Sequence, residues 1–230
     1  MKLVILSLLM LTTTAFSQLP PIEPGVSQEL AKWRSVQYSN ISYKLNLTLE
    51  KMSPVLKGSI EIHVQQAASA CAEPNCPPLA IILDWRKLPG HEKDSTIEKV
   101  NINGESVTRF IRNTFTIENS YYEEEHDHLV FRHGVKPGDN VITLDFTSPI
   151  LTSGSAITRY IDKEDGSEYI YSLFVPSDAS TAFPVFDQPD LKARFTVNIR
   201  APKSWEVVTN TELEGLSIID SVCLPTSPKI

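Results

Sequence analysis

Residues 169–195, Y-I-Y-S-L-F-V-P-S-D-A-S-T-A-F-P-V-F-D-Q-P-D-L-K-A-R-F, constrain this chain more than any other segment, because their prolines leave the backbone few options. Pro184 and Pro189 each fix their own φ and push Phe183 and Gln188 toward extended conformations, so residues 183–189 read as a rigid corner. Upstream, Tyr169, Tyr171, Leu173 and Val175 alternate like the inward face of a strand. Pro176 breaks that pattern, and Asp178 is placed to cap a short turn. Asp187 is expected to accept hydrogen bonds from backbone N–H groups inside the corner, as Asx-turns do. Downstream, Leu191, Ala193 and Phe195 alternate with Lys192 and Arg194, which predicts the next strand.

The same period of two recurs in residues 43–49, 58–64, 79–84, 128–132, 141–146, 156–160 and 195–199, separated by turn residues such as Lys136-Pro137-Gly138-Asp139. Short strands at this density predict an all-β fold, an antiparallel sandwich or saddle. Residues 18–34 form a proline-rich leader in which Ser27 is placed to cap a short helix before Arg34. No helical pattern reaches 12 residues, so coiled coils and amphipathic membrane helices are not expected. The charged run Y-Y-E-E-E-H-D-H, residues 121–128, is expected to form a solvated hairpin loop, with His126 and His128 too few to close a metal site.

Residues 1–17 have the layout of a secretory signal: Lys2, an apolar core over residues 3–11, and Ala15-Phe16-Ser17 as a cleavage site before Gln18. That core is too short for a membrane span, so the expected location is exported, periplasmic or secreted. About 210 residues remain, enough to bury roughly 70% of the unfolded surface. The net charge of −7, without a basic stripe, argues against nucleic acid as a partner. Cys71 and Cys76 bracket A-E-P-N and are a disulfide candidate in an oxidising compartment; a zinc knuckle there would lack two further ligands. Asn40-Ile41-Ser42 and Asn46-Leu47-Thr48 fit the glycosylation sequon.

The 169–195 segment resembles the N-terminal domain of the aminopeptidase N (M1) family of zinc metallopeptidases, which carries Y-x-Y-T-x-F-x-P-x-D-A-x-x-x-F-P-C-F-D-x-P-x-x-K-A-x-F. The positions in register are Tyr169, Tyr171, Phe174, Pro176, Asp178, Ala179, Phe183, Pro184, Phe186, Asp187, Pro189, Lys192, Ala193 and Phe195. Asn103-Gly104 and Trp205 to Asn210 resemble two further family segments, so the likeness runs over about residues 35–221. Within it Phe183, Pro184, Asp187, Pro189 and Lys192 form the structural motif.

The resemblance implies a β domain that walls one side of a peptide-binding cavity, in an enzyme that removes N-terminal residues with Zn²⁺. That chemistry needs G-A-M-E-N to hold the free amine, and H-E-x-x-H with a later Glu to hold the metal and activate water. Neither motif occurs in these 230 residues, so no catalytic, metal or cofactor residue is assigned to them. The family also places a Gln or Glu nine residues before the F-P proline to help hold the substrate amine. Here that position is Val175, whose isopropyl group cannot bind an ammonium ion, which leaves Val175, Ser177 and Asp178 as the substrate-wall candidates. Residues 222–230, V-C-L-P-T-S-P-K-I, lose the alternation and are expected to be an irregular tail of a truncated or frame-shifted product. The expected function is the front domain of an exported zinc aminopeptidase, inactive by itself; the alternative is a stand-alone secreted β-sandwich that binds peptides.

Overall fold

The computed structural model describes residues 19–68, 79–110, 121–219 and 222–226, with side chains as far as residue 215. The candidate disulfide of Cys71 and Cys76 and the signal segment lie outside the described residues. In chain order the elements are α1 (Gln28–Gln37), β1 (Tyr38–Thr48), β2 (Val55–Gln66), β3 (Ile81–Asp84), β4 (Thr96–Ile102), β5 (Glu105–Ser106) and β6 (Thr108–Arg109). They continue with β7 (Tyr121–Glu125), β8 (His128–Phe131), β9 (Gly138–Pro149), β10 (Ile157–Ile161), β11 (Glu168–Ser172), β12 (Ala193–Pro202), β13 (Gly215–Ile219) and β14 (Val222–Thr226).

Among the described residues the fold is all-β with one α-helix. An eight-stranded sheet, β13-β14-β12-β1-β2-β9-β4-β5, shares one core with a four-stranded sheet, β3-β8-β7-β6. β10 and β11 form a separate hairpin. Among the described strands, pairing is antiparallel except at β1–β12 and β6–β7, which are parallel, and a lone parallel bridge joins Leu151 to Thr158. The β1–β12 pair joins segments about 150 residues apart, from Ile41–Ala193 to Thr48–Arg200, so no local turn signal could announce it.

β2 and β9 pair from Val55–Pro149 to Gln66–Gly138, and their alternation sends Ile60, Ile62, Val64, Ile142, Leu144 and Phe146 into the core. Gly58 lies under the Phe146 ring and 2.8 Å separates its would-be Cβ from the Asn46 carbonyl oxygen, so no side chain fits there. β3 and β8 differ, since all eight of their residues are buried. Strands covered on both faces read as continuous apolar runs, which Ile81-Ile82-Leu83 and Leu129-Val130-Phe131 supply.

α1 begins at Ser27, whose hydroxyl accepts from the Leu30 N–H at 3.1 Å. Glu29 in its first turn and Arg34 in its last suit the helix dipole. The helix passes directly into β1 at Tyr38, past the boundary at Arg34 that the sequence suggests. It buries Leu30, Trp33 and Arg34, and Trp33 meets Tyr38 edge to face with centroids 5.5 Å apart. Residues 222–226 pair as β14 with β12 and β13, where the sequence predicts an irregular tail. The apolar Val222-Cys223-Leu224 run favours extension, and Pro225 falls near the strand end, where a missing N–H is tolerated.

Candidate functional site

The hairpin β10–β11 reverses the expected orientation of its apolar stripe. Tyr169, Tyr171, Leu173 and Val175 are 53, 54, 60 and 72% exposed, while Ile157 on the neighbouring strand is buried and Ile170 half-buried against the core. Period-two patterning identifies two faces of a strand but cannot say which is covered. Here the covered face is the one carrying Ile157, Arg159 and Ile170. Tyr160 adds to the outer stripe, its ring 6.2 Å from that of Tyr169. A groove of about 890 Å³ runs along this region, with Leu47, Leu56, Tyr169, Tyr171, Trp205 and Val208 among its walls.

The hairpin is fixed from behind. Glu168, almost wholly buried, accepts from Arg159 Nε at 2.7 Å and from the Met52 amide, and Arg159 Nη2 donates to the Ser53 carbonyl. The turn between the strands is held by Asp162 and Asp165, whose carboxylates accept from the Glu164 and Ser167 amides at 2.8 Å.

From Val175 the chain enters the corner through a short 3₁₀ turn, Ala179–Thr181. Asp178 does not cap this turn through its side chain. Its carboxylate pairs with Arg86 instead, and its carbonyl accepts from the Thr181 amide at 3.0 Å and hydroxyl at 2.8 Å. Asp187 Oδ2 accepts from the Ser180 amide at 3.0 Å, so it ties the corner back to the 3₁₀ turn and does not bond an N–H within residues 183–189 as an Asx-turn would. Pro184 is buried with Phe183 and Phe186, whereas Pro189 and Lys192 face solvent. Val185 bridges to Asp84 through backbone bonds of 2.7 and 3.1 Å, and the Phe186 amide donates to the Tyr43 hydroxyl at 3.0 Å. Burial pushes the Tyr43 hydroxyl's pKa up, so it stays a neutral partner.

Behind the corner lies a buried polar cluster. Arg34 donates from Nη1 and Nη2 to the two oxygens of Asp84 at 2.9 and 2.6 Å, and from Nη2 to the Ile82 carbonyl at 3.0 Å. Asp84 Oδ2 also accepts from the Asp187 amide at 2.7 Å. His128 Nδ1 stands 2.9 Å from Asp84 Oδ1 in an off-axis ionic contact. Burial alone would raise the Asp84 carboxyl, but Arg34 and His128 override it and hold its pKa below the ordinary value. For Asp187 burial prevails over the Ser180 bond, and its pKa is raised. A pocket of about 340 Å³ opens beside this cluster, walled by Gly25, Arg86, Asp127, Ser177, Asp187 and Gln188.

His128 therefore departs from the solvated loop expected over residues 121–128. Those residues form β7, a turn and the start of β8, and Tyr122 and His128 are buried. The signal was the L-V-F run after His128, which continues a covered strand. The residues present do not fit a zinc site: among those described, no three His, Cys, Asp or Glu side chains converge as ligands. His126 sits in the turn at φ 52°, His128 is committed to Asp84, and His91 pairs with Asp94 at 3.2 Å. Val175 and Ser177 are exposed beside the pocket mouth and the hairpin stripe, with Asp178 partly covered by Arg86.

Residues 39–219 match the family described as the peptidase M1 N-terminal domain. The chain is 28% identical over 116 residues to an aminopeptidase N of Streptomyces lividans, a match covering 50% of this chain and 12% of that protein. It is 30% identical over 133 residues to a probable M1 family aminopeptidase 1 of Encephalitozoon cuniculi, covering 57% of this chain and 14% of that one. Among solved structures, an M1 zinc metallopeptidase from Deinococcus radiodurans aligns with a TM-score of 0.58 at 18% identity, over 83% of this chain and 38% of that one. Leukotriene A4 hydrolase from Saccharomyces cerevisiae aligns at 0.57 and 18%, over 84% and 27%. These structures show the likeness of fold, and the chain spans only a small part of the curated relatives it matches.

Proposed function

Because this chain belongs to the peptidase M1 family, whose N-terminal domain it carries, we propose that it forms one wall of the substrate cavity of an exported zinc aminopeptidase. Such an enzyme removes N-terminal residues from peptides. The observation that carries this reading is the exposed stripe of Tyr160, Tyr169, Tyr171, Leu173 and Val175. Contiguous apolar surface of this kind marks an interaction face, and a neighbouring catalytic domain would cover it. Zinc and the general base would belong to that domain, since the 230 residues contain no H-E-x-x-H. The part played by this chain is shape: Glu168 and Arg159 hold the hairpin, and the corner fixes where Val175 and Ser177 stand.

Two measurements test the reading. The chain alone should release nothing from aminoacyl anilides, and a separately expressed M1 catalytic domain added to it should bind and gain activity. Tyr171→Asp and Val175→Asp should weaken that association about tenfold or more while leaving the melting temperature unchanged. Peptide hydrolysis by the chain alone, or association indifferent to both substitutions, would contradict it. Export is checked by N-terminal sequencing of secreted material, which should begin at Gln18.

A second reading rests on the groove of about 890 Å³ beside the same tyrosines. A secreted module that binds peptides would use it without any catalytic partner. Saturable peptide binding by the chain alone, abolished by Tyr169→Ser, would favour this alternative.

A further inference from the structure

His128 has no solvent exposure, and both of its ring nitrogens face acceptors. Nδ1 is 2.9 Å from Asp84 Oδ1. Nε2 is 2.9 Å from the Glu23 carbonyl oxygen and 3.0 Å from that of Gly25. A neutral imidazole has one N–H, so it would set a lone pair against either the carboxylate or the two carbonyls. The charge of Asp84 beside Nδ1 keeps the one proton of a neutral ring there, so only the imidazolium also has a proton on Nε2 for the two leader carbonyls. Next to it, Asp127 Oδ2 accepts from the Gly25 amide at 2.9 Å, so two consecutive side chains grip the same leader residue. Leu19 and Ile22 pack against the core from that leader, and Gly25 and Val26 form one side of the pocket that also borders Asp84, Arg86 and Gln188.

We propose that protonated His128 is a latch that holds the leader, residues 19–26, across this pocket, and that loss of the proton frees the leader and opens the pocket. The charged groups around the ring come from every neighbouring element. Asp84 of β3 favours the proton, and Arg34 of α1, whose Nη2 shares Asp84 Oδ1 with the ring, opposes it. Asp127 in the adjoining turn and Asp187 of the corner add negative charge at the pocket, and Arg86 adds positive charge there. Burial works against the charged ring, yet the Asp84 carboxylate beside it raises its pKa above the ordinary histidine value. Because the folded pKa is raised, the latch is fully made below the unfolded value of about 6.5 and is lost as pH climbs through the folded one.

The test is hydrogen exchange on the full chain, corrected for intrinsic rates, with the His128 ring proton titrated by NMR under the same conditions. Protection of the Gly25 amide, which Asp127 holds beside the ring, should fall by up to about tenfold per pH unit above the His128 midpoint, while β9 stays protected. Leader protection that stays level through the His128 titration, or that falls only together with β9, would overturn the proposal. In His128→Gln the leader should lose its pH dependence. A pH dependence kept in that variant overturns the latch, and should the variant fail to fold, the coincidence of the two wild-type midpoints decides.

Discussion

The Met52 amide donates to both carboxylate oxygens of Glu168, at 3.2 and 3.1 Å, across 116 positions of chain. Met52 sits in the turn between β1 and β2 at φ 57°, a conformation most side chains avoid. That turn is thereby tied to the hairpin that carries the exposed tyrosines. The two-stranded ladder is marginal by itself, and Glu168 with Arg159 joins the Leu151 backbone bonds and buried Ile157 in fixing the hairpin.

Glu168→Ala should destabilise the protein by about 2–3 kcal/mol, since it removes charged bonds and leaves Arg159 without its carboxylate. Urea unfolding measures the loss. Exchange of the amides in β10 and β11 should accelerate more than that of β2 and β9.

Arg34→Ala should be worse, by about 3–5 kcal/mol, because it takes from buried Asp84 its two-pronged cationic partner. An apolar pair, Arg34→Met with Asp84→Leu, should lose less than the two single changes added together. Additive losses in a double-mutant cycle would show that the two side chains do not act as a pair.

Acid should unfold the protein partly through Asp84. Its folded pKa is lowered, so the stability it contributes is complete above the unfolded value of about 3.9 and disappears as pH falls through the folded one. Melting temperatures taken downward from about pH 5 should fall, and Asp84→Asn should start lower and slope less.

Asp187 offers a control of opposite sign. Its pKa is raised, so ionisation in the folded state works against stability. Asp187→Asn keeps an oxygen for the Ser180 amide and should change stability by no more than about 0.5 kcal/mol, whereas Asp187→Ala should lose about 1–2 kcal/mol. Equal melts for the alanine variant and the parent would show that the corner does not depend on this bond.

Gly58→Val should destabilise by about 1–3 kcal/mol, because the new side chain must displace the Phe146 ring and meets the Asn46 carbonyl. Thermal unfolding checks it, and Gly104→Ala, where no atom lies within 4 Å, separates crowding from the strain of a positive φ.

Strands such as β2, β8 and β9 were legible because their alternation or apolar runs are local properties of the chain. So was the Ser27 cap, which needs only a hydroxyl three residues before an N–H. The outward turn of Tyr169 and Tyr171 was not, since a strand's pattern is unchanged when its two faces exchange neighbours. Nor was the Arg34–Asp84–His128 cluster legible. Its members lie on three elements far apart in sequence, and each looks like an ordinary surface charge until the fold brings them together. The 169–195 segment stood between these cases. Its spacing carried the family likeness, while its contacts to Tyr43, Ala31 and Asp84 emerged only in three dimensions.

The parallel pairing of β1 with β12 sets an order on biogenesis. β1 leaves the ribosome early, and its hairpin partner β2 follows at once, but the other edge from Ile41 to Thr48 has no partner until residues 193–200 are made. A nascent chain must therefore carry an open, apolar strand edge through the synthesis of most of the domain, which is the condition under which strands pair with the wrong molecule. Completing the sheet is a late, long-range closure, and slow folding follows from that one strand pair.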